Sequence, residues 1–85
     1  MSRHRSWCFT INNWTDTDLF GVKLLFRKAS YGICGEEVAP STGTKHLQGY
    51  IRLTNALSLA VMKKSLSRAH LIVANGSDEE NKTYL

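Results

Sequence analysis

Strict alternation of apolar and polar side chains between Lys45 and Leu53 most constrains the fold of this chain. Successive side chains of a β-strand point to opposite faces, so one face here carries Leu47, Ile51 and Leu53. The other face carries an imidazole, an amide, a phenol and a guanidinium, which belong to His46, Gln48, Tyr50 and Arg52. This pattern predicts a strand that packs on a core with one face and presents polar groups on the other.

The rest of the chain predicts three more strands and three helices. Trp7, Phe9 and Ile11 alternate with polar residues in the first strand, and Gly76 follows the last strand. Ser77 and Glu80 have the spacing of a capping box, which opens the last helix. The predicted strands cover 7–12, 31–37, 45–53 and 69–74, and the helices begin at Thr15 or Asp16, at Asn55 or Ser58, and at Ser77.

This order of elements predicts an α+β fold of the ferredoxin-like (RRM-like) type, with the helices on one face of an antiparallel sheet and the other face open. Its 85 residues suit a single domain, 1–85. The net charge of +4 favours a polyanionic partner, without deciding between nucleic acid and anionic lipid. No apolar run approaches the roughly 20 residues that span a bilayer, so a membrane partner is not expected.

A mixed set of possible metal ligands lies around the third strand. His46 and Gln48 are two residues apart, so they share a face, and one residue of the pair Glu36 and Glu37 can join them from the preceding strand. One imidazole, one amide oxygen and one carboxylate suit Mg²⁺ or Mn²⁺ better than a closed zinc site. An exposed polar strand face that binds no metal is the alternative that this spacing leaves open.

Tyr84 shares a face of the last predicted helix with Ser77, Glu80 and Asn81. A tyrosine on such a polar stripe is a candidate nucleophile, but a phenol with a pKa near 10 needs help from a base or a cation. In the alternative interpretation, the ring packs on the sheet and leaves its hydroxyl group in water.

Four segments, in this order, resemble motifs of the replication-initiator (Rep) endonucleases of the HUH type, which serve circular single-stranded DNA viruses and satellites. The segments are Trp7–Asn13, Gly35–Glu37, His46–Tyr50 and Asp78–Tyr84. Their forms are more similar to the circovirus and nanovirus branch than to the geminivirus branch. The family's third motif continues from the tyrosine to a lysine three residues later, and this chain ends before that position. A truncated endonuclease domain is therefore expected.

The resemblance implies metal-dependent, sequence-specific nicking and joining of single-stranded origin DNA through a 5′-phosphotyrosine intermediate, which initiates rolling-circle replication. Glu37, His46 and Gln48 match the ligands of Mg²⁺ or Mn²⁺, and Tyr84 matches the nucleophile. The implied partner is an origin stem-loop. The family further implies action in the host nucleus, and a C-terminal ATPase domain through which the full-length protein forms a homo-oligomer.

Several basic, polar and aromatic side chains are candidates for contact with DNA. The first motif, associated with recognition of single-stranded DNA, contributes Thr10, Asn12 and Asn13. Further candidates for contact with phosphates or unpaired bases are Arg3, Arg5, Trp14, Lys45, Tyr50, Arg52, Lys63 and Lys64. The alternative function is a non-catalytic, RNA-recognition-type module that binds single-stranded nucleic acid, because the same order of elements describes that fold.

Overall fold

A computed structural model of the protein describes residues 2–75, which form four strands and two helices. In chain order these are β1 (Arg3–Asn12), α1 (Asp16–Phe26), β2 (Ala29–Val38), β3 (Lys45–Ser58), α2 (Leu59–Ser65) and β4 (His70–Val73). The strands form one antiparallel sheet in the order β2-β3-β1-β4, which confirms the predicted ferredoxin-like α+β fold. The helix predicted from Ser77 lies outside the described residues. Neither α1 nor α2 is long and apolar enough to cross a membrane.

The core lies between the two helices and one face of the sheet. Trp7, Phe9 and Ile51 are each at most 2% exposed, as expected for the apolar face of alternating strands. Met62 and Leu66 of the second helical segment are also buried, whereas Leu59, at helical spacing from Met62, is 49% exposed. Leu59 is the first residue of α2, and the Cα–Cβ bonds of a helix tilt toward its N-terminus, so this side chain points off the end of the helix.

Both described helices begin where side-chain caps are available. The Thr15 hydroxyl accepts from the Asp18 backbone N–H (3.4 Å), and the Asp18 carboxylate accepts from the Thr15 N–H (2.8 Å), so a capping box opens α1. The Ser58 hydroxyl accepts from the Val61 N–H (3.3 Å) and caps α2. The first helix ends at Phe26, and Ala29 already begins β2.

Two strands are longer than the sequence pattern predicts. The first strand begins at Arg3, before the predicted start at Trp7, and there Arg3 pairs with Ser58 and His4 pairs with Leu57. The third strand runs on to Ser58 to supply these partners, past the predicted end at Leu53. Backbone pairing between distant segments determines these extensions. Neither segment has the apolar alternation from which a strand could be predicted.

Gly49 allows β3 to lie directly against the ring of Phe9. A Cβ atom at this position would overlap Phe9 Cζ and Cε2, and it would lie 2.9 Å from the backbone oxygen of Ile33. We expect Gly49→Ala to lower the free energy of unfolding by about 1–3 kcal/mol, as overpacking of a core does. Urea denaturation measures this change. Gly35→Ala is the matched control, because nothing lies within 4 Å of its added Cβ, and equal stability of the two variants would contradict the packing argument.

Candidate metal centre and nucleic-acid interface

Three neighbouring strands bring Glu37, His46 and Asn12 into one row on the face opposite the helices. His46 is the cross-strand partner of Glu37 on β2 and of Asn12 on β1. Directly opposite residues share a face, with their Cβ atoms about 4.5–5.5 Å apart. Glu36 is instead paired with the core residue Leu47, so it lies on the helix side. The register thus places Glu37 on the same face as His46.

A second row lies one step further along the strands. Gln48 pairs with Gly35 on β2 and with Thr10 on β1, and Thr10 in turn pairs with His70 on β4. Gln48 is two residues from His46, so both side chains project from the same face, about 7 Å apart along the strand. Carboxylate, imidazole and amide groups therefore border one patch of this face.

The imidazole of His46 is held by a side chain from β1. Its Nδ1 atom lies 2.5 Å from Oδ1 of Asn12. An amide oxygen can only accept, so Nδ1 carries the hydrogen, and the lone pair of the neutral ring is on Nε2. His46 therefore presents a nitrogen that can bind a cation.

Glu37, His46 and Gln48 fit a hard divalent cation in type and placement. All three carry oxygen or nitrogen donors on one face, and His46 has its second ring nitrogen hydrogen-bonded, as metal-bound histidines have. Within residues 2–75 no group of three or more His, Cys, Asp or Glu side chains could hold a metal ion. A cation here would thus depend on the Gln48 amide and on water or phosphate oxygens.

The next row is apolar and largely covered. Tyr50 lies between Cys8 and Ile33 and is 1% exposed, with its ring centroid 6.0 Å from that of Tyr31. The ring predicted to stack on a base therefore has no exposed face in this structure. Burial raises the pKa of the Cys8 thiol, which keeps it protonated at neutral pH and unsuited to binding a hard cation. Cys34, which lies against the core on the other side of the sheet, has its pKa raised for the same reason.

The remaining candidates for DNA contact are spread over the molecule. Arg52 lies on the candidate face beyond Tyr50, and Lys45 is exposed next to His46 at the start of β3. Arg3 and Arg5 lie at the other end of β1, roughly 25–30 Å from Asn12 at about 3.3 Å per residue. Lys63 and Lys64 belong to α2 on the opposite side of the sheet.

Three of these candidates have structural contacts in this fold. Nζ of Lys63 donates to the Ala69 carbonyl (2.6 Å). Trp14 packs against the core, and its buried Nε1 has no hydrogen-bond partner in the described part of the chain. Asn13 forms the turn after β1 with a left-handed φ of 51°, and its N–H donates to the Lys45 carbonyl (2.7 Å). Tyr84, the predicted nucleophile, lies outside the described residues.

Arg68, which the sequence pattern did not single out, clamps the turn beside His46. Its Nη2 donates to the carbonyl oxygens of Asn12 (3.0 Å) and Asn13 (3.4 Å), and its Nη1 forms an ion pair with the Asp18 carboxylate. This guanidinium joins the end of β1, the first turn of α1 and the connection before β4. No local sequence signal indicates a contact between residues 50 to 56 positions apart.

Gly35, the first residue of the segment Gly35–Glu37, is a second feature whose role the sequence pattern did not indicate. It lies beside Gln48 in the interior of β2, has no positive φ, and has no atom of residues 2–75 within 4 Å of where a Cβ would lie. No close contact within this part of the chain accounts for a glycine at this position. Because Gly35 has no side chain, the sheet surface next to Gln48 stays accessible, as at sites where a ligand approaches a strand closely.

Comparison with known proteins shows the family of this chain. A family model described as "Putative viral replication protein" (Viral_Rep) matches residues 4–85. The chain belongs to this Rep family. It is 44% identical over 81 residues to the replication-associated protein of Beak and feather disease virus. This alignment covers 94% of this chain and 28% of that protein.

Further Rep relatives come from plant satellites and from another circovirus. The chain is 40% identical over 83 residues to Para-Rep C1 of Faba bean necrotic yellows C11 alphasatellite, and 41% identical over 81 residues to the replication-associated protein of Canary circovirus. Each alignment covers 94% of this chain, but only 29% and 28% of these two relatives. The chain thus spans less than a third of the length of the Rep proteins that it matches.

Removing the guanidinium of Arg68 should loosen the turn of this Rep chain. We expect Arg68→Ala to lower the free energy of unfolding by about 1–2 kcal/mol, because it leaves the Asp18 carboxylate, which is 10% exposed, without its ion pair. Arg68→Lys should recover only part of this loss, since an ammonium group cannot reach three acceptors in a fixed fork. Urea denaturation measures both, with Arg27→Ala as an exposed control; equal stability of the Arg68 and Arg27 variants would rule out the clamp.

Proposed function

We propose that this chain nicks and joins single-stranded origin DNA during the initiation of rolling-circle replication. In this proposal Tyr84 is the nucleophile, and Glu37, His46 and Gln48 hold Mg²⁺ or Mn²⁺. Membership of the Rep family supports a role in viral replication. The observation that carries the chemistry is the register of β2 and β3, which puts a carboxylate opposite an imidazole with the Gln48 amide beside them.

The covalent step is a transfer of a phosphoryl ester. The phenolic oxygen of Tyr84 attacks the phosphorus, the bond from phosphorus to the 3′ oxygen breaks, and the 5′ side becomes esterified to tyrosine. The phenolic proton passes to solvent, and the departing 3′ oxygen takes one up to become a hydroxyl group. The ester is retained, so a 3′-hydroxyl can later attack the phosphotyrosine, restore the DNA chain and release Tyr84.

The chain's own side chains have distinct tasks around this step. Glu37, His46 and Gln48 bind the cation, which when bound polarises a phosphate oxygen as a Lewis acid. Lys45 and Arg52, at either end of the polar stretch of β3, attract the phosphate backbone. Gly35 leaves space for the DNA strand next to Gln48.

The open face argues against the alternative of an RNA-recognition module. Such modules stack two or three bases on exposed aromatic rings of the central strands. The central strands here are β3 and β1. At the corresponding positions β3 has Tyr50, which is only 1% exposed, and β1 has Cys8 and Thr10, which are not aromatic. Of residues 2–75, those on this face are better suited to binding a cation and a phosphate than to stacking bases.

We also propose the DNA substrate of the reaction and the compartment in which it takes place. The substrate is a stem-loop at a circular viral or satellite origin, and the reaction takes place in the host nucleus. Homo-oligomerisation is proposed for the longer Rep protein, through a region beyond the part that this chain spans.

Replacing Tyr84 with Phe tests the nucleophile. We expect Tyr84→Phe to abolish the covalent protein–DNA adduct, because the attacking oxygen is absent, and to leave DNA affinity within about twofold of the wild type. The assay incubates labelled stem-loop DNA with Mn²⁺ and looks for a labelled protein band that withstands SDS. Tyr31→Phe is the matched control and should still form the adduct. A persisting adduct in Tyr84→Phe would exclude this residue as the nucleophile.

Removing the cation or its ligands tests the metal centre. We expect EDTA to stop cleavage, Mn²⁺ to restore it, and Glu37→Ala and His46→Ala each to reduce the cleavage rate at least tenfold. His4→Ala, at the far end of β1, is the matched control and should cleave as the wild type does. Cleavage that continues in EDTA would disprove metal dependence, and normal cleavage by His46→Ala would disprove the assigned ligand.

A further inference from the structure

The contact between Asn12 and His46 gives this asparagine a task other than reading DNA. We propose that Asn12 is a positioning residue, which fixes the tautomer and orientation of His46 so that its Nε2 faces the cation. This inference rests on the proposed metal centre. The hydrogen bond between Oδ1 of Asn12 and Nδ1 of His46, 2.5 Å long, carries it.

A neutral imidazole carries its hydrogen on either nitrogen, and only the other nitrogen can bind a metal. An acceptor at Nδ1 holds the hydrogen there and leaves the Nε2 lone pair for the cation. The same bond restricts rotation of the ring about its χ angles, so less freedom is lost when the metal binds. Hydrogen-bond partners of this kind typically change metal affinity by about 10–100-fold.

The backbone that presents the Asn12 amide is itself fixed. Asn12 is the cross-strand partner of His46, and its carbonyl accepts from Nη2 of Arg68 (3.0 Å). The next residue, Asn13, is held by Lys45 on one side and by Arg68 on the other. Because these hydrogen bonds hold the backbone, the short side chain of Asn12 has few positions available, which suits it to orient the imidazole ring.

The geometry also distinguishes positioning from direct contact with a base. The Asn12 side chain is exposed, but its oxygen already bonds to the imidazole. An asparagine that reads adenine uses its oxygen and its amide nitrogen together. Here one lone pair of that oxygen is already used by His46, so a base would have to fit the orientation that the imidazole sets for the amide.

Manganese binding to three variants tests the proposal. We expect Asn12→Ala to bind Mn²⁺ about 10–100-fold more weakly than the wild-type chain, because Nδ1 loses its acceptor. Asn12→Asp should stay within about threefold of the wild type, because a carboxylate of the same shape accepts the same hydrogen. Asn55→Ala, on the exposed far part of β3, is the matched control and should bind as the wild type does. Electron paramagnetic resonance of free Mn²⁺ gives the dissociation constants.

DNA affinity in EDTA supplies a readout that does not involve the metal. Fluorescence anisotropy with metal-free, single-stranded origin DNA separates the two roles: a loss of DNA affinity in Asn12→Ala, with unchanged manganese affinity, assigns the residue to DNA contact and overturns the positioning role. Unchanged manganese affinity in Asn12→Ala would overturn the positioning role and leave the proposed metal centre standing. Wild-type protein that binds no Mn²⁺ would overturn both.

The tautomer of His46 can also be read without any substitution at Asn12. In ¹⁵N-histidine-labelled wild-type protein without metal, long-range ¹H–¹⁵N spectra should show His46 protonated at Nδ1. A His46→Gln variant assigns the signal among the three histidines. A hydrogen on Nε2 instead would refute the proposal, whether or not Asn12→Ala folds.

Discussion

The register of β3 between β1 and β2 is the constraint on which the rest of this structure depends. A slip by one residue would turn His46 and Gln48 toward the helices and expose Leu47 and Ile51. Each such apolar side chain contributes about 1.5–3 kcal/mol when buried, and a domain has only about 5–15 kcal/mol of net stability. Burial on one face therefore fixes the position of the polar groups on the other.

A second constraint connects the helical layer to the candidate site. Asp18 both closes the capping box of α1 and pairs with Arg68, which holds the carbonyls at the end of β1. The candidate ligand His46 is thus supported through Asn12 by a network that begins in the first turn of a helix. Polar networks of this kind are rigid when every member is bonded, and losing one member weakens the whole. A substitution on the helix side can therefore alter the opposite face.

Much of this arrangement could be predicted from the sequence, because alternation in a strand is a local signal. The shared face of His46 and Gln48 follows from their spacing. Residue type limits the caps to Thr15 or Asp16 and to Asn55 or Ser58, and the structure has Thr15 and Ser58. Spacing could not choose between Glu36 and Glu37; only a resemblance to known motifs or the cross-strand register decides. The bond from Asn12 to His46 spans 34 residues and that from Arg68 to Asn12 spans 56, so no local pattern indicates either. The burial of Tyr50 likewise depends on neighbouring strands rather than on its own alternation.

The central place of β1 in the sheet has a consequence for synthesis of the chain. Its first residues leave the ribosome before any of their pairing partners, since Trp7 pairs with Ile51 and Val73. Contacts between such distant residues form late and slow the folding of a domain. A nascent chain that ends before Arg68 lacks both this guanidinium and β4, so one edge of β1 stays unpaired. The network that supports Asn12 and His46 is therefore complete only when nearly all of the described segment has been translated.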